Sequence, residues 1–159
     1  MLQKRTSVSI AALIFLVSLF LVMNTSAREE HIKRSDLPAA VQKTVDEQSK
    51  GATIKGYSKE VENGKVEYEV ELMVNGHSKD VSMDPQGNVI EVEEEVSLDA
   101  LPAAVREGLV QRAGRGKIGK VESITKRGTV VAYEARVQTG PKHFEIQVGP
   151  DGKALDHKE

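Results

Sequence analysis

The chain has 159 residues, 22 of them basic and 24 acidic, and contains neither cysteine nor tryptophan. The lack of cysteine excludes disulfides, thiol catalysis, zinc–thiolate sites and lipid attachment through a cysteine. The two signs of charge are interspersed and nearly balanced, so the sequence has no basic stripe of the kind that binds nucleic acid.

The first 27 residues have the layout of a secretory signal peptide. Lys4 and Arg5 precede an uninterrupted apolar run at 8–23, which is followed by small residues at Thr25 and Ala27. This run is shorter than the ~20 residues that span a bilayer as a helix. We therefore expect cleavage after Ala27, a periplasmic or secreted protein, and no stable membrane span in the mature chain. An uncleaved anchor is the alternative.

The pentapeptide LPAAV occurs twice, at 37–41 and at 101–105. The offset of 64 also matches Gly64 with Gly128, and one extra residue near Val131 changes the offset to 65. The matches at the larger offset include Tyr68 with Tyr133, Glu69 with Glu134, Pro85 with Pro150 and Gly87 with Gly152. These matches predict an internal duplication, with a first repeat at 28–95 and a second repeat at 96–159.

Each predicted repeat begins with a helix. Apolar residues recur every three to four positions, as on one side of a helix that packs against a core. They are Leu37, Val41 and Val45 in the first repeat and Leu101, Val105 and Leu109 in the second.

The expected N-caps are Ser35 and Asp36 for the first helix and Ser97 or Asp99 for the second, because their side chains accept backbone hydrogen bonds. Gly51 is the expected end of the first helix, and Gly114 or Gly116 of the second.

Antiparallel strands are predicted after each helix. Residues 66–74 alternate between apolar residues and the acidic Glu67, Glu69 and Glu71, which is the pattern of a half-buried strand. Turn glycines recur at 64, 76 and 87, and again at 128, 140 and 152. The predicted fold class is therefore α+β, with two tandem repeats, each of one helix packed on a three- to four-stranded antiparallel β-meander. The three glutamates are expected on the solvated face.

The segment 91–100 connects the two predicted repeats. It contains no proline or glycine, so we expect a stiff junction and one packed body rather than two domains on a flexible linker.

Two consecutive units open with LPAAV and close with DPQGNVIEVE (84–93) or GPDGKALDHK (149–158). In this respect residues 35–159 resemble the PepSY-like family, which is related in build to secreted β-lactamase inhibitor proteins. The resemblance implies a binding or inhibitory module rather than an enzyme. It implies a protein or peptide partner in the envelope or the exterior, with a peptidase as one candidate. The sequence contains no peptidase segment, so an inhibited enzyme would be a separate chain.

No catalytic, cofactor-binding or metal-ligating residue is assigned from the sequence. The four histidines lack ligand spacing, and the acidic strands lack the loop signature of a calcium site. The expected partner-binding sheet face carries Glu67, Glu69, Glu71, Glu134 and Arg136.

Two alternatives stay open. The acidic strands also suit an envelope protein that binds or senses a metal ion or a small molecule, as do the acidic linker residues Glu91, Glu93, Glu94 and Glu95. An exposed sheet edge either accepts a peptide as an added strand or carries charges that only prevent aggregation.

Overall fold

The computed structural model describes residues 28–62 and 64–159. The expected signal peptide at 1–27 and Asn63 of the expected Asn63–Gly64 turn lie outside the described residues. Within the described ranges, neither helix is long and apolar enough to cross a membrane.

The described residues form two helices and eight strands. In chain order these are β1 (Arg28–His31), α1 (Ala39–Gln48), β2 (Thr53–Glu62), β3 (Lys65–Val74), β4 (His77–Met83), β5 (Val89–Glu95), α2 (Ala103–Ala113), β6 (Lys117–Lys126), β7 (Thr129–Thr139) and β8 (Lys142–Val148). The strands make one antiparallel sheet in the order β1 to β8, so every strand lies beside its neighbour in the sequence. The predicted α+β class is confirmed, and pairing between β5 and β6 makes the sheet continuous.

One apolar cluster lies beneath each helix. Val41 and Val45 of α1 pack with residues of β3 and β4, among them Leu72. Val105 and Leu109 of α2 pack with residues of β6, β7 and β8. Val41 and Val105 are both 0 % exposed, which confirms the predicted helical stripes. A fully buried aliphatic side chain of this size contributes about 1.5–3 kcal/mol to stability.

The predicted N-caps are wrong. A short 3₁₀ turn precedes each helix, at Arg34–Asp36 and at Leu98–Ala100, and each N-cap position holds a proline, Pro38 or Pro102, without a capping side chain. The Asp36 carboxylate instead accepts a hydrogen bond from the backbone N–H of Lys33. The predicted end of the second helix is confirmed, since the N–H of Gly114 donates to the carbonyl of Val110 and its φ is 58°.

The small residues of LPAAV allow a β-turn to contact each helix. A Cβ atom added to Gly87 would lie 2.6 Å from the carbonyl oxygen of Ala40, and one added to Gly152 would collide with the carbonyl oxygen of Ala104. Both glycines have positive φ, 80° and 78°. Each turn is therefore fitted to the first turn of its helix.

The junction 91–100 completes β5 and leads through a 3₁₀ turn into α2. The extra residue predicted near Val131 forms a β-bulge. Ile124 pairs with Ala132 and Thr125 with Val130, which leaves Val131 without a partner on β6. A bulge accepts one additional residue without changing the register of the rest of the strand.

Candidate functional site

The face of the sheet opposite the two helices is the candidate site, and we call it the polar face. Successive side chains of a strand point to opposite faces. Val70, Leu72 and Val81 face α1, so Glu69, Glu71 and Asp80 lie on the polar face. None of the described helices packs there.

Strand register aligns carboxylates in rows across this face. One row joins Glu71 to Asp80 and Asp80 to Glu93 on β3, β4 and β5. A second row joins Glu95, Glu122 and Glu134 on β5, β6 and β7. Directly opposed like charges destabilise a sheet, so the rows require protons, cations or basic side chains.

The centre of the polar face is a carboxylate cluster of Asp80, Glu93 and Glu122, with one oxygen of each within 4.8 Å of the others. Glu122 is 3 % exposed. Its Oε1 atom forms an ion pair with Nζ of Lys120 at 2.6 Å. Lys120 pairs with Glu122, and Lys120 and Arg136 both attract the Asp80 carboxylate, so the two basic side chains face three acidic groups.

Burial and mutual repulsion change the acidity of this face. Burial is the main cause that raises the pKa of Glu93 to about 7, with Glu122 and Glu91 adding repulsion. Burial also raises the pKa of Glu69 to about 7, with Asp80 and Glu29 next in effect. The pKa of Asp80 is raised by burial, against the attraction of Lys120. The expectation that Glu67, Glu69 and Glu71 lie in water is therefore corrected, because all three are half-buried and other acidic groups crowd Glu69.

The cluster can hold a proton, or a hard cation of the kind that carboxylate oxygens bind. The residues that would hold such a cation are Asp80, Glu93 and Glu122. Lys120 already supplies one positive charge there.

The polar face of the second half (96–159) carries mixed charges. Glu134 accepts a hydrogen bond from Gln147 at 2.8 Å, and Nε of Arg136 lies 3.7 Å from the Glu145 carboxylate. The C-terminal residues cross this part of the face. Nζ of Lys158 lies 2.7 Å from Glu145 and 3.3 Å from Glu134.

A family model described as "Putative beta-lactamase-inhibitor-like, PepSY-like" matches the chain twice, at 23–91 and at 66–156. The chain belongs to the PepSY-like family. The resemblance seen in the sequence is thereby confirmed, and no catalytic family is indicated. A search of curated proteins gave no match.

Solved structures show the same fold. The PepSY-like chain superposes with a TM-score of 0.62 on a Bacteroides eggerthii structure named as "putative periplasmic proteins", at 18 % identity over 75 % of this chain and 86 % of the other. A DUF2874 family protein from Bacteroides ovatus gives 0.60, at 19 % identity over 76 % and 85 %. A BLIP-like protein from Bacteroides fragilis gives 0.56, at 23 % identity over 76 % and 85 %.

The five residues expected from the sequence lie on the polar face of the PepSY-like sheet but form two groups. Glu67, Glu69 and Glu71 are on β3, whereas Glu134 and Arg136 are on β7. The strands β4, β5 and β6 separate the groups.

Of the three acidic residues at the centre of the face, the sequence pointed only to Glu93, one of the acidic linker residues. Asp80 was recognisable, because it alternates with Ser78 and Ser82 in β4. Glu122 and Lys120 were hidden, because a register shift between Ile118 and Val121 interrupts the alternation of β6.

Proposed function

We propose that this PepSY-like chain is an exported, non-catalytic binding module that docks a protein or peptide partner on the polar face of its sheet. The observation that carries the proposal is the half-buried carboxylate array on a sheet face that no described helix covers. The side chains are held in register by the strands, so the surface is pre-organised, which lowers the entropic cost of binding.

The proposed module consists of two copies of a helix-on-meander unit, at 28–95 and 96–159, after a cleaved signal peptide at 1–27. The repeated family match supports the duplication, as do the matching helix–turn contacts at Gly87 and Gly152. The "periplasmic" name of the Bacteroides eggerthii structure agrees with export.

The two copies differ in charge, which indicates the chemistry of the partner. Corresponding positions hold Gly56 and Lys120, and also Glu71 and Arg136. The first copy therefore lacks both basic residues, and Gly56 leaves room for the Glu71 carboxylate, which a Cβ there would approach to 3.0 Å. Electrostatic complementarity favours a partner that presents lysine or arginine to β3, β4 and β5.

The test is a pull-down. The exported protein is purified and immobilised, and an envelope extract of the producing cells is passed over it to capture binding proteins. The variant Glu69→Lys/Glu71→Lys reverses charge on the polar face. The control Glu47→Lys/Glu107→Lys makes the same charge change on exposed positions of α1 and α2. We expect a protein that the wild type and the control retain and the face variant loses, while thermal melts show all three folded. Equal retention by the face variant, or no retained protein, would contradict the proposal.

A second candidate function is cation binding by an envelope sensor or buffer. Its specific support is the cluster of Asp80, Glu93 and Glu122, in which the buried Glu122 carboxylate is paired with Lys120 while two further acidic groups lie within 4.8 Å. A cation that prefers the folded state raises the melting midpoint. A midpoint unchanged by millimolar calcium or by zinc would remove this candidate.

A further inference from the structure

Among residues 28–62 and 64–159, no strand covers the outer edge of β8 (Lys142–Val148), whereas a strand covers the corresponding edge in the proposed first copy. There, β5 pairs with β4 from Lys79 to Met83. At the offset of 65 these positions correspond to residues 144–148. Among the described residues, this side of β8 has a single bridge, Val148 to Ala154, which corresponds to the first pair of the β4–β5 ladder, Met83 to Val89.

We propose that the edge of β8 binds an extended peptide as an added antiparallel strand, with an apolar, a basic and an apolar residue opposite Ile146, Glu145 and Phe144 in that order. The added strand would occupy the place that β5 has beside β4. This inference depends on the proposed duplication, but not on docking at the polar face.

An edge strand offers backbone N–H and C=O groups to another strand. Residues 155–159 do not pair with this edge as a strand. In the register of β5, His157, Lys158 and Glu159 would stand opposite Ile146, Glu145 and Phe144. Only the lysine suits its position, because the other two residues would place a polar side chain against an apolar one.

The C-terminal residues instead leave the edge and cross the polar face. The N–H of Glu159 donates to Oε1 of Gln147 at 2.8 Å, and the Glu159 carboxylate lies 3.2 Å from Nζ of Lys126 on β6. A cleft of about 230 Å³ remains between residues 155–158, Arg112 of α2 and β8. Phe144 is 42 % exposed at the edge.

The register of β5 specifies the chemistry of the peptide. Val92 lies opposite Val81, so an apolar residue is expected opposite Ile146, which corresponds to Val81. An apolar residue opposite Phe144 would cover its exposed ring.

A basic residue is expected opposite Glu145. In the first copy the corresponding pair is Asp80 and Glu93. The Lys120 ammonium group on β6 attracts the Asp80 carboxylate there. Among the described residues no strand lies beyond β8 in the sheet, and Glu145 is balanced by Lys158 and, at 3.7 Å, by Arg136. A basic residue of the added strand would take the place of Lys158. Lys158 shows that an ammonium group reaches Glu145 in this chain, at 2.7 Å.

The probe is a fluorescent seven-residue peptide with the sequence of β5 (Val89–Glu95), in which lysine and valine replace the residues at the Glu93 and Glu94 positions. The control peptide has the same valine but keeps glutamate at the Glu93 position. We expect the probe to bind about tenfold more tightly than the control, because an attractive cross-strand charge pair replaces a repulsive one. Anisotropy titration of the exported protein measures both affinities, and amide hydrogen exchange locates the site.

Three variants make the test specific. Glu145→Lys should reverse the preference between the two peptides. Lys158→Ala should tighten binding of the probe, because it removes the side chain that competes for Glu145. Glu60→Lys makes the same charge change on β2 and should leave the preference unchanged.

Amide protection confined to β8, together with reversal in Glu145→Lys, would establish the site. Equal affinity for the two peptides, or a preference that Glu145→Lys does not alter, would overturn it. Protection on β3, β4 and β5 instead would overturn the edge site while supporting polar-face docking. The Glu69→Lys/Glu71→Lys variant should still bind the probe at β8, so failure of one proposal is distinguishable from failure of the other.

Discussion

At the scale of single residues, the polar face owes its character to carboxylates that are packed too closely to be ordinary surface groups. Glu69 shows this most simply. Its nearest described hydrogen-bond partner is the Ser82 hydroxyl at 3.5 Å, while burial and the surrounding acids raise its pKa to about 7. Deprotonation of Glu69 therefore costs more free energy in the folded chain than in the unfolded chain.

This cost predicts a pH dependence of stability. Between the ordinary pKa of 4.5 and the folded value of about 7, the folded chain retains a proton at Glu69 that the unfolded chain has released. The stability contributed in this way is complete below pH 4.5 and is lost as the pH rises through 7. With allowance for solvent screening of a half-buried group, the loss is about 1–2 kcal/mol.

Glu69→Gln should remove this dependence. We expect the variant to unfold at higher urea concentration than the wild type at pH 8 and at nearly the same concentration at pH 4.5. Glu30→Gln, at an exposed position of β1, is the matched control and should follow the wild type at both pH values. A Glu69→Gln variant less stable than the wild type at pH 8 would show that the carboxylate is stabilising.

At the scale of secondary-structure elements, strongly periodic segments were predictable and context-dependent ones were not. The alternation of residues 66–74 located β3, and the apolar spacing located both helices. The strand β1 has no such pattern. This strand forms because its backbone pairs with that of β2. Sequence periodicity carries no information about a pairing strand that lies far away in the chain. The caps failed for a similar reason, since Ser35 and Asp36 belong to a 3₁₀ turn before the helix.

The turn at Gly152 gives a prediction for one element. Gly152→Ala adds a methyl group against the backbone of Ala104 at a positive φ. Left-handed backbone strain and overpacking together should lower the free energy of unfolding by about 2–4 kcal/mol. Gly51→Ala is the control, because Gly51 has the same φ of 78° with nothing within 4 Å of an added Cβ. The control should lose only about 1–2 kcal/mol by urea denaturation. Equal losses in the two variants would contradict the helix–turn contact.

At the scale of the whole molecule, one continuous sheet carries both helices on one face and leaves the other to the carboxylate array. The sequence predicted the duplication and the partner-binding face that we propose. It did not indicate that β5 and β6 pair, because a junction without glycine or proline is compatible with either one sheet or two. That pairing brings Glu93 beside Glu122 and creates the centre of the candidate site.

Photo-crosslinking in the producing cells tests polar-face docking most directly. A photoreactive residue replaces Ser82, on the polar face of β4, in one strain and Arg106, an exposed residue of α2, in another. We predict a discrete protein adduct from the Ser82 position and none from the Arg106 position. An adduct from the Arg106 position alone, or from neither position, would contradict a docking role for the polar face.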